Sequence, residues 1–251
     1  MDNPYIVEET EDYAVVFKPA KMHSVPERED LTLRHGDTEE ELTILEWHYQ
    51  NNYFNKEIRL MHRLDYETHG LVLFAKNEKS FFFFKDLQDN GEFIKEYSAI
   101  CSPHPSLLTP HSLEGFPDNS SVSPCLRVNS SVNNPSVIES YFRPFGPGRK
   151  QVRPVIDDEK KHKEIAKDKG GFYRTEIIEK NDNVFTVRIK RGFRHQIRCH
   201  LCWTGFPILN DPLYNSADVQ PEALLALRSH ALFFTDPASR EKKECRIEQL
   251  K

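Results

Sequence analysis

No apolar run in the 251-residue chain approaches the roughly 18 residues needed to cross a bilayer as a helix, which excludes a helical membrane protein. The opening residues, Met1-Asp2-Asn3-Pro4-Tyr5-Ile6-Val7-Glu8-Glu9, are acidic and lack the basic and apolar regions of a secretion signal, so a cytoplasmic location is expected. Cysteine is scarce. Five of them, an odd number scattered along the chain, do not read as a disulfide framework and suit a reducing compartment. Positive charge is short as well: the net charge of -5 is awkward for a nucleic-acid binder, because neutralising phosphates calls for clustered Lys and Arg. No internal repeat is evident. Hydrophobic residues at 38% and charged residues at 29% describe an ordinary soluble globular protein, long enough for one large domain or two small ones.

Short β-rich segments recur at 5–8, 13–17, 71–75, 97–101, 137–142, 173–179 and 184–190. Several alternate apolar with polar residues, as Val184-Phe185-Thr186-Val187-Arg188-Ile189-Lys190 does, which predicts a sheet with one buried face. Three helices are expected among them. The first, over 39–53, would present Leu42, Leu45 and Tyr49 as a stripe. A second, over 80–87, would be capped by Ser80 and bury part of the Phe81 to Phe84 run. The third begins near Arg194, carries His195 and Arg198 about one turn apart, and stops at Gly205 and Pro207. Irregular strand spacing with helices between some strands points to α+β and away from a doubly wound sheet. From 102 to 137 the composition shifts to Ser, Pro and Asn, and 157–169 is densely charged. The expectation is a single catalytic domain over 1–251 with an elaborated middle at about 102–170.

Chemistry concentrates in two blocks. Arg59-Leu60-Met61-His62-Arg63-Leu64-Asp65-Tyr66-Glu67-Thr68-His69-Gly70 runs into the apolar strand Leu71-Val72-Leu73-Phe74-Ala75 and holds a carboxylate at a turn. A side chain there is fixed by buried neighbours while its tip can still reach a ligand. Downstream stands Arg191-Gly192-Phe193-Arg194-His195-Gln196-Ile197-Arg198-Cys199-His200-Leu201, followed by Gly205-Phe206-Pro207-Ile208-Leu209-Asn210-Asp211-Pro212-Leu213-Tyr214. Together these blocks resemble the RluA-type pseudouridine synthase family, whose strings read roughly HRLDxxTSGLLLFAKN and TGRTHQIRxHxxxxGxPIxGDxxY. Lys18-Pro19-Ala20 looks like the family's KPAG loop, Lys95-Glu96-Tyr97-Ser98-Ala99 matches its KxYxA strand, and Leu225 to Pro237 is similar to its last block.

The resemblance implies a pseudouridine synthase fold: a mixed, largely antiparallel twisted sheet with flanking helices and a central RNA-binding cleft, without a separate N-terminal RNA-binding module. It implies isomerisation of uridine in structured RNA, ribosomal or transfer RNA, with no cofactor and no metal. Asp65 would be the catalytic carboxylate, met by Arg198, whose guanidinium opposes the desolvation that pushes a buried carboxylate toward its neutral form. Tyr97 would stack on the uracil, and Arg63 would occupy the space left by an extruded nucleotide. His62, Arg194 and His195 are further candidates for RNA contact, and Leu232 for lining the uracil pocket. A monomer is the simplest expectation.

The chain departs from the family pattern at four places. Lys21 replaces the glycine of KPAG, His69 stands where Ser is usual, Phe193 and Arg194 alter the TGRT string, and Asn210 replaces the glycine of PIxGD. Asp211 and Tyr214 read as turn and packing residues. Two basic runs could meet phosphate: Arg188, Lys190, Arg191, Arg194 and Arg198, and Arg143, Arg149, Lys150 and Arg153, the second reading equally well as solvated surface. The Gly192-Phe193 step offers exposed amides to an anion. Cys199-His200-Leu201-Cys202 is a CxxC without the second ligand pair of a structural zinc, so its thiols read as small core residues. The competing readings are a catalytically silent RNA-binding relative, disfavoured because Asp65 would repel phosphate, and a hydrolase with an Asp nucleophile, which lacks a visible base partner or oxyanion loop.

Overall fold

The computed structural model describes residues 3–26, 42–51, 57–102, 136–155 and 172–250. In chain order the first elements are β1 (Tyr5–Glu9), β2 (Tyr13–Lys18), α1 (Ile44–Asn51), β3 (Arg59–Leu60), β4 (His69–Ala75) and α2 (Glu78–Asp89). There follow β5 (Ile94–Ile100), β6 (Ser136–Phe145), β7 (Gln151–Val155), β8 (Tyr173–Asn181) and β9 (Val184–Ile189). The chain closes with α3 (Gln196–Trp203), β10 (Leu227–Thr235) and β11 (Lys242–Arg246). These elements form two compact units, Met1–Phe93 with Arg228–Glu248, and Ile94–Leu227 with Gln249–Lys251.

The first unit is organised around β4. Gly70 to Ala75 pair antiparallel with β2, while the other edge is shared: β3 pairs antiparallel with Phe74 and Ala75, and β10 runs parallel against His69 and Gly70. Every residue of β4 is buried, which is why it reads as a continuous apolar run without alternation. β1 flanks β2, and β11 flanks β10. Beneath the sheet lies a core of Tyr13, Leu71, Leu73, Phe84, Phe93 and Phe234, in which the rings of Tyr13, Phe84 and Phe234 meet edge to face. α2 supplies Phe84 and Leu87 to this core and leaves Phe82 exposed. Its cap is Asn77, whose side chain accepts from the Ser80 amide at 2.8 Å while Ser80 reciprocates, so Ser80 occupies the third helical position of a capping box and not the cap itself. In α1 the buried residues are Ile44 and His48, with Leu42 exposed; His48 packs 4.3 Å from the Phe74 ring, so a histidine takes the inward place that the aliphatic stripe was expected to fill.

The second unit is an antiparallel sheet in the order β5-β9-β8-β6-β7. α3 covers Phe142, Val152 and Tyr173 through Cys199, with Phe193, Trp203 and Tyr214 packed around them. At the centre, Ser140 Oγ lies 2.9 Å from His200 Nε2 and Thr175 Oγ1 lies 2.8 Å from His200 Nδ1. Burial holds His200 down to about 3, so both ring nitrogens are spent on hydroxyls and the imidazole stays neutral.

All seven expected strands and all three expected helices are present, with boundaries moved by a few residues. Four strands were not anticipated. β3 is two residues long, and β7 contains Pro154, which demotes a segment from strand to loop in any pattern reading although an outermost strand tolerates it. β10 and β11 lay in and beyond a block recognised only by its family likeness. Most of the Ser/Pro/Asn-rich stretch and the charged segment at 157–169 lie outside the described residues.

The tightest point of the first unit is Gly70, at φ +122, where an added Cβ would sit 2.2 Å from the Ser229 carbonyl oxygen. Gly70→Ala therefore has to part the β4–β10 pair as well as adopt a conformation L residues avoid. The expected result is a loss of about 3 kcal/mol or more in denaturant unfolding, or no soluble protein; a variant as stable as the parent would show that the two strands do not approach this closely.

Candidate active site

Asp65 stands in the turn between β3 and β4, half-buried, and the turn is tied down at every step. The Met61 amide donates to Leu73 at 2.9 Å, and the Met61 carbonyl accepts from Gln88 Nε2 at 2.7 Å. His62 Nε2 accepts from the Leu73 amide at 3.3 Å, and its ring lies 5.4 Å from Phe93, so this side chain is engaged in bracing the turn. Arg63 is exposed. Ser24 then holds the residue before the carboxylate from both sides: its hydroxyl donates to the Leu64 carbonyl at 2.8 Å and accepts from the Leu64 amide at 3.0 Å. The turn closes with the Thr68 amide on the Asp65 carbonyl and the Lys21 amide on the Tyr66 carbonyl. Tyr66 packs on His23 at 4.6 Å. A carboxylate so placed cannot drift by much, which is what positioned catalysis requires.

Beside it lies a cation that the pattern of the sequence did not single out. Lys18, the last residue of β2, is fully buried and donates to the carbonyls of Pro19 at 2.8 Å and Met22 at 2.7 Å. Burial pulls this amine down to about 7, and the negative charges of Asp65 and Glu67 oppose the shift. Lys18 is thus an electrostatic neighbour of the candidate carboxylate and fastens the 18–22 loop that contacts the catalytic turn. Its place in the KPAG-like string was the only signal available for it.

In the second unit, Tyr97 lies on β5 opposite Val187, 4% exposed, on the same face of the strand as Lys95. Lys95 is buried and donates to the Lys190 carbonyl at 2.9 Å, with burial lowering it to about 8. Arg198 is almost fully buried in α3 and forms a two-pronged pair with Asp211, Nε to Oδ2 at 2.8 Å and Nη2 to Oδ1 at 2.7 Å. Asp211 is wholly buried, and its Oδ1 also accepts the Leu213 and Tyr214 amides at 2.9 and 3.0 Å. The residue read from sequence as a turn former is therefore also the one that orients Arg198; nothing in a single sequence distinguishes the two roles.

His195 caps α3 in the left-handed conformation, φ +57, and its Nδ1 lies 3.3 Å from the Tyr214 hydroxyl. The Arg198 guanidinium lies 5.5 Å from the centroid of the same ring, so His195 and Arg198 do converge, on Tyr214. That hydroxyl also takes the Val152 amide at 2.8 Å, and burial raises its pKa. Arg194 is exposed, and its Nη2 donates to the carbonyls of Arg149 at 2.8 Å and Gln151 at 3.3 Å. Leu232 is fully covered within the core of the first unit. The CxxC thiols donate to carbonyls, Cys199 to Val152 and Cys202 to Tyr214, and burial pushes Cys202 up to about 12.

The family model described as RNA pseudouridylate synthase matches residues 12–203, which includes the turn, β5 and α3. The chain belongs to this family. Among its curated relatives are an uncharacterized protein of Caenorhabditis elegans, 32% identical over 64% of this chain, and the ribosomal large subunit pseudouridine synthase C of Rickettsia typhi, 27% identical over 68%. The chain spans 29% and 46% of their respective lengths. An uncharacterized RNA pseudouridine synthase of Bacillus subtilis, YjbO, is 27% identical over 94% of this chain and 69% of its own. The solved human RNA pseudouridylate synthase domain containing 1 shares the fold, with a TM-score of 0.60 and 19% identity over 98% of this chain and 84% of its own.

Two departures from the family strings fall at left-handed backbone positions, where glycine meets no steric cost. Lys21 and Asn210, each where a glycine is usual, both adopt φ +58. For lysine this conformation costs roughly 1 kcal/mol, while asparagine tolerates it better. His69 is buried in β4 with its ring 6.4 Å from that of Phe17.

Two predictions follow from the buried charges. Between the ordinary lysine value of 10.5 and about 7, the unfolded chain carries a proton at Lys18 that the folded one lacks, so this residue makes stability rise with pH across that window. Carbon-labelled lysine followed by NMR should show side-chain signals titrating near 7 and near 8, the lower one missing in Lys18→Met; a Lys18 signal titrating above 10 would contradict its burial. Asp211→Asn removes the buried carboxylate that Arg198 grips with two hydrogen bonds, and should cost about 3–5 kcal/mol by denaturant unfolding; a cost below about 1 kcal/mol would mean that the pair is not desolvated.

Proposed function

We propose that the protein is an RNA pseudouridine synthase that isomerises uridine to pseudouridine in ribosomal or transfer RNA, with Asp65 as the catalytic carboxylate. The observation that carries the proposal is the immobilised carboxylate itself, at the rim of a fully buried strand, clamped through Ser24 and faced by the charge of Lys18. The names of the bacterial relatives support ribosomal RNA as the substrate class.

The reaction breaks the bond between uracil N1 and the ribose anomeric carbon, turns the base, and forms a bond from C5 to that carbon. The proton leaving C5 is balanced by the one gained at N1, so there is no net change of oxidation state. Asp65 serves as nucleophile toward the sugar or as base, and either role uses a carboxylate held at one point. Tyr97 is assigned to the uracil, stacking on it and relaying the C5 proton, on the strength of its match to the KxYxA strand. Arg198, oriented by Asp211 through Nε and Nη2, is assigned to opposing negative charge in the reaction. The exposed Arg63 is assigned to filling the stack when the nucleotide is extruded. His62, His195 and Arg194 support the turn, the start of α3 and the chain at Arg149 from which RNA would be gripped.

Deleting the gene in its native host and mapping pseudouridine across ribosomal and transfer RNA tests the proposal directly. One or more sites should vanish, return with the wild-type gene, and stay absent with Asp65→Asn. If no site is lost and the purified protein modifies no isolated RNA, the proposal fails; restoration by Asp65→Asn would remove Asp65 from the chemistry.

A further inference from the structure

The two basic runs, separated by about 40 residues in sequence, are one surface. β6 and β7 form a hairpin whose tip, Gly146 to Lys150, is a short 3-10 turn with Arg149 at φ +55 and both Arg149 and Lys150 exposed. Arg194, at the entrance to α3, donates to the carbonyls of Arg149 and Gln151 and so fastens that tip to the start of the helix. The base of the hairpin is joined to the same segment by rings: Phe142 of β6 stacks on Phe193 at 5.0 Å, Phe193 meets Tyr173 at 5.0 Å, and the Arg191 guanidinium lies 4.9 Å from the Tyr173 centroid.

Charge of one sign is concentrated here. No acidic residue occurs from 140 to 155 or from 184 to 210, although the whole chain carries a net -5. Two members of the runs are neutralised at home, Arg188 by Glu96 at 2.6 Å and Arg198 by Asp211. The exposed members of the runs are Arg149, Lys150, Lys190, Arg191 and Arg194.

We infer that the β6–β7 hairpin tip and the segment leading into α3 form a sequence-independent grip on the RNA phosphate backbone, separate from the residues that act on the uridine. Resting on the reading of the chain as an RNA-modifying enzyme, it names where that acidic protein overcomes its repulsion for a polyanion. Guanidinium groups spread along a ribbon suit a repeating phosphate chain, each contact contributing through counterion release. An acidic protein would be repelled by the net negative charge in the same way, so what favours RNA is the spread of the cations along an extended ribbon together with the reading of the chain as an RNA-modifying enzyme.

The test uses the full chain and a fluorescein-labelled RNA hairpin made only of G, C and A, which contains no uridine to modify. Anisotropy at several KCl concentrations should show Arg149→Ala/Lys150→Ala binding several-fold more weakly than wild type near 100 mM salt. The slope of log affinity against log salt should fall by about 1 to 2, in proportion to the phosphate contacts removed. Lys190→Ala/Arg191→Ala should lower it further in combination, while Lys85→Ala, an exposed lysine of α2 paired with Asp89, should change nothing. Equal melting temperatures among the variants establish that folding is not the cause. The inference is overturned if the hairpin variant binds with wild-type affinity and slope, if wild type does not bind the probe at about 50 mM salt, or if polyglutamate displaces the probe as readily as unlabelled RNA. Because no uridine is present, these outcomes are independent of whether pseudouridine is made.

Discussion

Burial of β4 is the constraint on which the candidate site depends. Its seven residues are enclosed on both faces and paired along both edges, so the strand has no freedom to shift register without exposing apolar side chains. The turn that feeds it inherits this rigidity through Leu73, which bonds Met61 with its carbonyl and His62 with its amide. Asp65 sits four residues before the strand begins, far enough out to remain half-exposed and close enough to be held. Reactivity and immobility are thereby combined in one residue, at the boundary between a packed strand and an open turn.

The second unit solves the corresponding problem for a cation. A guanidinium as buried as that of Arg198 is costly to desolvate, and the Asp211 carboxylate compensates it with two parallel hydrogen bonds while accepting two backbone amides of its own. The turn at 211–214 and the helix α3 are thus fixed to each other by a charge pair, and Tyr214 from that turn carries the contact on to His195 and to Val152 of β7. Lys18 and Lys95 follow another rule. Each donates to backbone carbonyls, and burial pulls each toward neutrality, a shift that Asp65 and Glu67 oppose at Lys18.

Much of this was legible in the chain because it depends on local pattern. Apolar runs and alternation marked the principal strands, and the two motif blocks located the turn of Asp65 and the helix of Arg198. What was not legible depends on tertiary partners. Asp211 and Ser24 have ordinary identities whose roles arise from residues 13 and 40 positions away. β7 was hidden by its proline, β3 by its brevity, and the inward face of α1 by a histidine standing where an aliphatic residue was sought. The basic hairpin read equally well as phosphate site and as solvated surface, because its connection to Arg194 exists only in three dimensions.

Lys21 and Asn210 each place a side chain at a left-handed position of a loop. A side chain at a left-handed position narrows the conformations open to the denatured chain compared with glycine, so part of the local steric cost is recovered as a smaller entropy loss on folding. The loop after β2 therefore carries Lys21 at little thermodynamic expense. Because the bond from this loop to the Tyr66 carbonyl is made by the Lys21 amide, the side-chain chemistry at position 21 is separable from the tie that holds loop and turn together.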